Sequence, residues 1–253
     1  MRVAVTGATG RMGREVIDAA REAGHEPLPV SHSATGETGG TEVHPADGFA
    51  TLLSEREPDA TIDFTLPDPS VSYVADCAEA GVPAVVGTTG FSEAQLAALR
   101  EAAERIPVLQ AANFARGVQG LLAVVREAVA ALPEYDVEVT ETHHNGKRDA
   151  PSGTANRVLD AIDQTRGDSS RVHGREGEAP REDGEIGVHA RRAGDITGEH
   201  EVLLAGNHEE LRLTHRAGSR GVFAAGAVEA AEWLAGRPPG WYDFSDTLPD
   251  TES

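Results

Sequence analysis

The stretch that constrains this chain most stands at its start. "RVAVTG" is a short β-branched run ended by glycine, and "MGREVIDAAREAG" then repeats apolar residues at helical spacing (Met12, Val16, Ala19, Ala20, Ala23) until Gly24 stops it. Between the two lies "GATGRMG", which spaces Gly7, Gly10 and Gly13 as G-x-x-G-x-x-G. Glycines in a strand-to-helix turn let the backbone approach a pyrophosphate, whose charge then meets amides and the positive end of the helix. A merely tight turn would also use glycine. The strand-loop-helix context favours a nucleotide cradle made by Gly7, Ala8, Thr9, Gly10, Arg11, Met12 and Gly13.

The alternation continues through "PLPVS", a Gly/Thr-rich loop near residues 34–41, "FATLLSERE", "ATIDFT", "SVSYVADCAEAG" and "VPAVVG". It ends with "SEAQLAALREAAER", where Ser92 and Gln95 make a capping-box pair, and "PVLQAANF". Repeated strand-helix units imply a parallel sheet covered on both faces. The pattern then changes. A long apolar helix, "GVQGLLAVVREAVAAL", leads into "YDVEVTETHH", where Val137 and Val139 alternate with acids and imply one wet strand face. After "SGTANRVLDAIDQ" and a charged loop from about 165 to 184, three alternating stretches ("IGVHARRAG", "TGEHEVLLAG", "EELRLTHRA") suggest a meander or a mixed open sheet. The helix "VFAAGAVEAAEWLAG" needs a partner surface, which the first domain can supply, and the tail after Trp241 reads as weakly ordered. The expected fold is α/β, with an N-terminal Rossmann-like doubly wound parallel sheet and a C-terminal α+β domain built on a mixed open sheet.

Forty-two acidic residues against 22 basic ones give a formal charge of -20, which repels nucleic-acid phosphates and anionic lipid headgroups alike. Neither partner is expected. The acid excess, the scarcity of lysine and 4% aromatic content fit a protein kept hydrated in concentrated salt; an acidic protein from a GC-rich genome would also favour arginine over lysine. Cys77 is alone, so it forms no internal disulfide, and its neighbours Asp76 and Glu79 would not lower its pKa. No apolar run approaches bilayer length and no signal peptide is evident, so a soluble, cytoplasmic protein is expected.

The residue that reads the adenine ribose belongs at the end of the second strand, where an acid selects NAD and repels the 2'-phosphate of NADP. Here stand Ser31, His32 and Ser33, neutral hydrogen-bonding groups that can accept a phosphate. NADPH is the preferred donor on this reading and NADH an admissible one, although Ser and His are also ordinary turn residues.

Lys147 is the single lysine of the chain and lies in "ETHHNGKRDAPSGTA". Adjacent residues on a strand point to opposite faces, so His143 and His144 make a poor chelating pair, and no metal is expected. Pro151 fixes the entry to a helix opened by Ser152, Gly153 and Thr154, whose amides and hydroxyls form an anion site. A cation, an imidazole and such a helix start within a dozen residues describe a pocket for a small carboxylate with acid–base work to do.

This block resembles the signature of the 4-hydroxy-tetrahydrodipicolinate reductase (dihydrodipicolinate reductase) family of diaminopimelate and lysine biosynthesis. "GATGRMG", "IDFT", "VVGTTGF", "AANFARGV", "RAGDITGEHEV" and "LTHRAGSRGVFAAGAVEAAEWL" resemble further family motifs, in family order over nearly the whole chain. The resemblance implies that His143 is the general acid/base and that Lys147 donates a proton or polarises the substrate. It implies that His144, Lys147, Ser152, Gly153 and Thr154, with Thr89, hold a small dicarboxylate. Gly87, Thr88, Thr89, Ala111, Asn113 and Phe114 would flank the nicotinamide and carry it towards the substrate on domain closure. It also implies a dinucleotide domain over residues 1–114 and 219–253, a substrate and oligomerisation domain over 115–218, and a homotetramer. Two departures stand out: the acidic ribose reader is absent, and Arg116 follows Asn-Phe-Ala where the family more often has a small residue. The competing readings are another nicotinamide-dependent dehydrogenase of amino-acid metabolism and a catalytically silent dinucleotide sensor. The intact His143 and Lys147 argue against the sensor.

Overall fold

The computed structural model describes residues 1–32, 36–38 and 40–248, so Ser33 lies outside the described residues. The chain divides into two compact units, residues 1–114 with 220–253 and residues 115–219.

The first unit is built around an eight-stranded sheet. Its strands are β1 (Arg2–Thr6), β2 (Glu26–Ser31), β3 (Gly36–Thr38), β4 (Thr41–Pro45), β5 (Ala60–Asp63), β6 (Ala84–Val86), β7 (Pro107–Gln110) and β13 (Gly240–Tyr242), in the order β13-β7-β6-β5-β1-β2-β4-β3. Every pairing is parallel except that of β3 with β4. Helices α1 (Arg11–Glu22) and α7 (Gly221–Leu234) share a core with strand residues Val3, Val5, Ile62, Val85 and Leu109. Helices α2 (Phe49–Arg56), α3 (Pro67–Ala80) and α4 (Glu93–Ala103) pack on Ala4, Leu28, Val30, Ala84, Val86 and Val108. Neighbouring strand residues thus serve opposite cores, as alternation requires. Each fully buried Val, Leu or Ile contributes roughly 1.5–3 kcal/mol.

Helix α7 comes late in the chain yet belongs to this unit because it can pack closely: a Cβ at Gly226 would lie 1.8 Å from the Phe114 carbonyl oxygen. Ser92 and Gln95 form the capping box at the head of α4. Cys77 is fully buried, and burial pushes its thiol up to about 12.

Two expectations for this unit need correction. The Gly/Thr-rich region near residues 34–41 is not simply a loop, since Gly36–Thr38 pairs antiparallel with Thr41–Val43. The tail is ordered to residue 248: Trp241 pairs with Val108, and Phe244 is buried against Phe114 with ring centroids 5.3 Å apart. Two apolar anchors three residues apart outweigh the polar composition around them.

The second unit contains α5 (Arg116–Ala131), β8 (Asp136–His143), α6 (Gly153–Arg166), β9 (Arg171–His173), β10 (Ile186–Arg192), β11 (Gly198–Gly206) and β12 (Glu209–Ala217). Its sheet runs β12-β11-β8-β10-β9, with β10 parallel to both neighbours and β11 antiparallel to β8 and β12. It is therefore a mixed open sheet, and the meander alternative fails because β8 separates β10 from β11. The charged loop expected at about 165–184 contains β9, whose Arg171 is tied to Asp160 and Asp163 of α6. Among the described residues, no helix is long and apolar enough to cross a membrane.

Candidate active site

In the first unit, β1, β2, β5, β6 and β7 run parallel and deliver their following turns to one edge of the sheet. Gly7 adopts φ +76°, and a Cβ there would stand 2.5 Å from the Phe64 carbonyl oxygen. At Gly13 a Cβ would fall 2.1 Å from the Gly7 oxygen, so the glycine turn and α1 touch through backbone. Helix α1 opens at Gly10 with no side-chain cap and no acid in its first turn. The amides of Arg11, Met12 and Gly13 thus begin a helix without intrahelical acceptors. This cradle fits a dinucleotide pyrophosphate.

The other residues expected near a cofactor divide by exposure. Thr9 Oγ1 lies 2.9 Å from Ser31 Oγ, which joins the glycine turn to the end of β2, while His32 is exposed. Ala8, Ala111 and Phe114 are core residues, and the Phe114 ring packs on Phe64 and Phe244. Thr88 also points inward. Its hydroxyl donates to Asp63 Oδ2 at 2.6 Å, beside the Thr6 and Thr65 hydroxyls that donate to Oδ1. Gly87 lies against the Phe64 ring, Thr89 is exposed and Asn113 half-buried.

In the second unit, strand register assembles the site. Glu141 and His143 are two residues apart on β8 and share a face. Parallel pairing sets Arg192 beside His143, and antiparallel pairing sets His200 beside Glu141. Glu141, 1% exposed, accepts from Arg192 Nη2 on Oε1 (2.7 Å) and from Arg192 Nη1 on Oε2 (2.8 Å). The His143 Nδ1–H reaches Oε2 at 2.5 Å, and the Ser152 amide reaches Oε1 at 3.1 Å. One buried carboxylate thus fixes the imidazole, the guanidinium and the head of α6.

Burial alone would raise the Glu141 carboxyl, but the hydrogen bonds and charges of Arg192 and His143 outweigh it and hold the group below the usual range. An ionised acceptor at Nδ1 requires the proton on that nitrogen, so Nε2 is the ring atom left for chemistry. For His143 burial dominates, aided by the charges of Lys147 and Arg192, and lowers its pKa despite the opposing pull of Glu141. Gly198 makes room for the ring, because a Cβ there would stand 3.0 Å from Nε2. His200 meets His143 edge-on with centroids 5.2 Å apart, and its Nε2 lies 3.0 Å from Ser152 Oγ. Burial, with a smaller push from His143, lowers His200 to about 4.

Ser152 caps α6 as its side chain accepts from the Ala155 amide at 3.1 Å, and Gly153 and Thr154 form the first turn. Lys147 Nζ lies 2.8 Å from Asp149 Oδ1, and its amide donates to the His144 carbonyl at 3.1 Å. The structure therefore joins His143 to Ser152 through Glu141, and Lys147 to the same loop through Asp149 and His144. Glu141, Arg192, Asp149 and His200 are residues that the sequence reading did not single out. The i, i+2 spacing of Glu141 and His143 was a signal for the first of them. Among the described residues, no group of three or more His, Cys, Asp or Glu could hold a metal ion.

Comparison with known proteins agrees with this layout. Residues 1–114 match the family described as dihydrodipicolinate reductase, N-terminus, and residues 117–248 match dihydrodipicolinate reductase, C-terminus. The chain belongs to this family. Relatives named 4-hydroxy-tetrahydrodipicolinate reductase include one from Natronomonas pharaonis, 59% identical over 98% of this chain and 100% of the relative. Another, from Haloarcula marismortui, is 53% identical over 98% of both chains. Both sources are haloarchaeal, in keeping with the charge of -20. Among solved structures, a dipicolinate-bound dihydrodipicolinate reductase from Paenisporosarcina sp. TG-14 superimposes with a TM-score of 0.80 at 26% identity, covering 98% of this chain and 99% of the other. An amine dehydrogenase from Mycobacterium smegmatis, at 16% identity and TM-score 0.64, covers 100% of this chain and 97% of its own and shares the fold alone.

Proposed function

We propose that this protein reduces 4-hydroxy-tetrahydrodipicolinate to tetrahydrodipicolinate at the expense of NADPH, with NADH as a second donor and with loss of water. The observation that carries the reading is the Glu141-anchored His143 beside Lys147 and the head of α6, in a chain of the reductase family. When bound, the reduced nicotinamide supplies a hydride to the ring of the substrate.

The chain's own residues supply the rest. Gly7, Gly10 and the amides of Arg11 to Gly13 hold the pyrophosphate. Ser31 and His32 border the ribose, and the absence of an acid there favours the 2'-phosphate of NADPH. Lys147, His144, Thr154 and the Gly153 amide bind the two carboxylates. His143 Nε2 delivers the proton that balances the hydride. Its lowered pKa leaves the ring neutral in the free protein. The arriving dianion raises that pKa and generates the acid where it is used. Lys147 suits its place as a compact ammonium with rotatable donors, whereas a guanidinium imposes a planar fork. We also infer from the family resemblance a cytoplasmic homotetramer, which sedimentation equilibrium tests.

A steady-state assay in molar KCl with freshly generated substrate tests the function. Oxidation of both nicotinamides, with a higher kcat/KM for NADPH, is expected. No oxidation of either by folded protein rejects the reductase reading and favours the silent sensor.

A further inference from the structure

Two of the groups assigned above to a substrate carboxylate, Lys147 and the Gly153 amide, are already engaged by Asp149. Lys147 Nζ lies 2.8 Å from Asp149 Oδ1. Burial alone would raise the Asp149 carboxyl, yet the hydrogen bond and charge of Lys147, together with the amides of Asp149 itself and Gly153, hold it below the usual range. Its backbone is fixed as well: Arg192 Nη2 donates to the Asp149 carbonyl at 2.5 Å and to Glu141 Oε1 at 2.7 Å. The frame that aligns His143 thus also delivers the Asp149 carboxylate to the ammonium and to the head of α6.

We propose that Asp149 is an internal occupant of the carboxylate subsite at Lys147 and Gly153, that the dicarboxylate substrate displaces it, and that it keeps small monovalent anions out of the empty site. The proposal rests on the reading that these two residues receive a substrate carboxylate. The Asp149 side chain is 56% exposed, so it returns to water without a large desolvation cost. A dicarboxylate, held at two points, outcompetes one tethered carboxylate, whereas chloride, held at one point, does not. In a protein suited to concentrated salt this discrimination keeps Lys147 available to substrate.

Titration of the full chain with dipicolinate, comparing wild type with Asp149→Asn and Asp149→Ala, tests the proposal. Removing the internal competitor should tighten dipicolinate binding by about fivefold, the upper range for a solvent-accessible ion pair. Raising chloride at constant ionic strength should erase that gain in both variants and leave wild type little changed. Binding by both folded variants that is equal to or weaker than wild type overturns the proposal. If wild type binds dipicolinate and Lys147→Ala binds it equally well, the assignment of the subsite itself is at fault.

Discussion

Replacement of Glu141 by glutamine probes the centre of the site. The carboxylate accepts from Arg192 twice, from His143 Nδ1 and from the Ser152 amide. Glutamine offers one acceptor oxygen and turns an NH2 group towards part of that set. Breaking a buried ion pair costs about 3–5 kcal/mol, and the partial exposure of Arg192 and its further bonds to the Arg191 and Asp149 carbonyls reduce this to roughly 2–3 kcal/mol. Thermal unfolding should fall by about 5–10 °C in a chain of this size. His143 loses the acceptor that fixes its tautomer, so turnover should drop at least about a hundredfold while cofactor affinity holds. It also loses the one partner that raises its pKa. Activity that needs protonated His143 disappears as pH rises through that pKa, so the alkaline limb of kcat/KM should move to lower pH. Stopped-flow turnover across pH, with differential scanning calorimetry, reads both effects. A folded Glu141→Gln variant with turnover within about threefold of wild type and an unmoved limb would refute the reasoning.

Three further outcomes follow from the same geometry. Gly198→Ala sets a methyl 3.0 Å from His143 Nε2, so turnover should fall several-fold to about tenfold with little change in melting temperature, as steady-state assay and thermal scans will show. Gly13→Ala drives a Cβ into the Gly7 carbonyl at 2.1 Å and should abolish NADPH binding measured by fluorescence while dipicolinate binding in the other unit persists. Acid should destabilise the fold through His200, lowered from 6.5 to about 4: its contribution is whole above 6.5 and drains away as pH falls to about 4, a loss of order 3 kcal/mol. Melting of His200→Gln should be correspondingly less sensitive between those two pH values.

Much of the first unit was legible because parallel strands buried on both faces leave uninterrupted apolar runs, and "GATGRMG" sits where strand chemistry gives way to helix. The β3–β4 hairpin escaped notice because a three-residue strand has no room to show a period. Sheet order in the second unit was hidden for another reason. Strand β10 pairs with β8 from nearly fifty residues away, and no local pattern encodes a non-local register. The histidine, the lysine and the cap at Ser152 were visible in one block, whereas the groups that align them were split. Glu141 shares the parity of Val137 and Val139, so the alternation placed an acid on the apolar face, but its partners Arg192 and His200 arrive on other strands and no local pattern names them. Burial beside Arg192 and His143 makes Glu141 the anchor of the site rather than a surface charge.

The central claim, reduction of the cyclic dicarboxylate by hydride transfer with His143 as proton donor, is tested most directly by isotope. The protein is given NADPH carrying deuterium at both C4 positions, and the ring product is weighed by mass spectrometry. One deuterium per product molecule, with product formation falling at least about a hundredfold in His143→Ala, is the predicted result. Unlabelled product, or undiminished labelled product from His143→Ala, would contradict it.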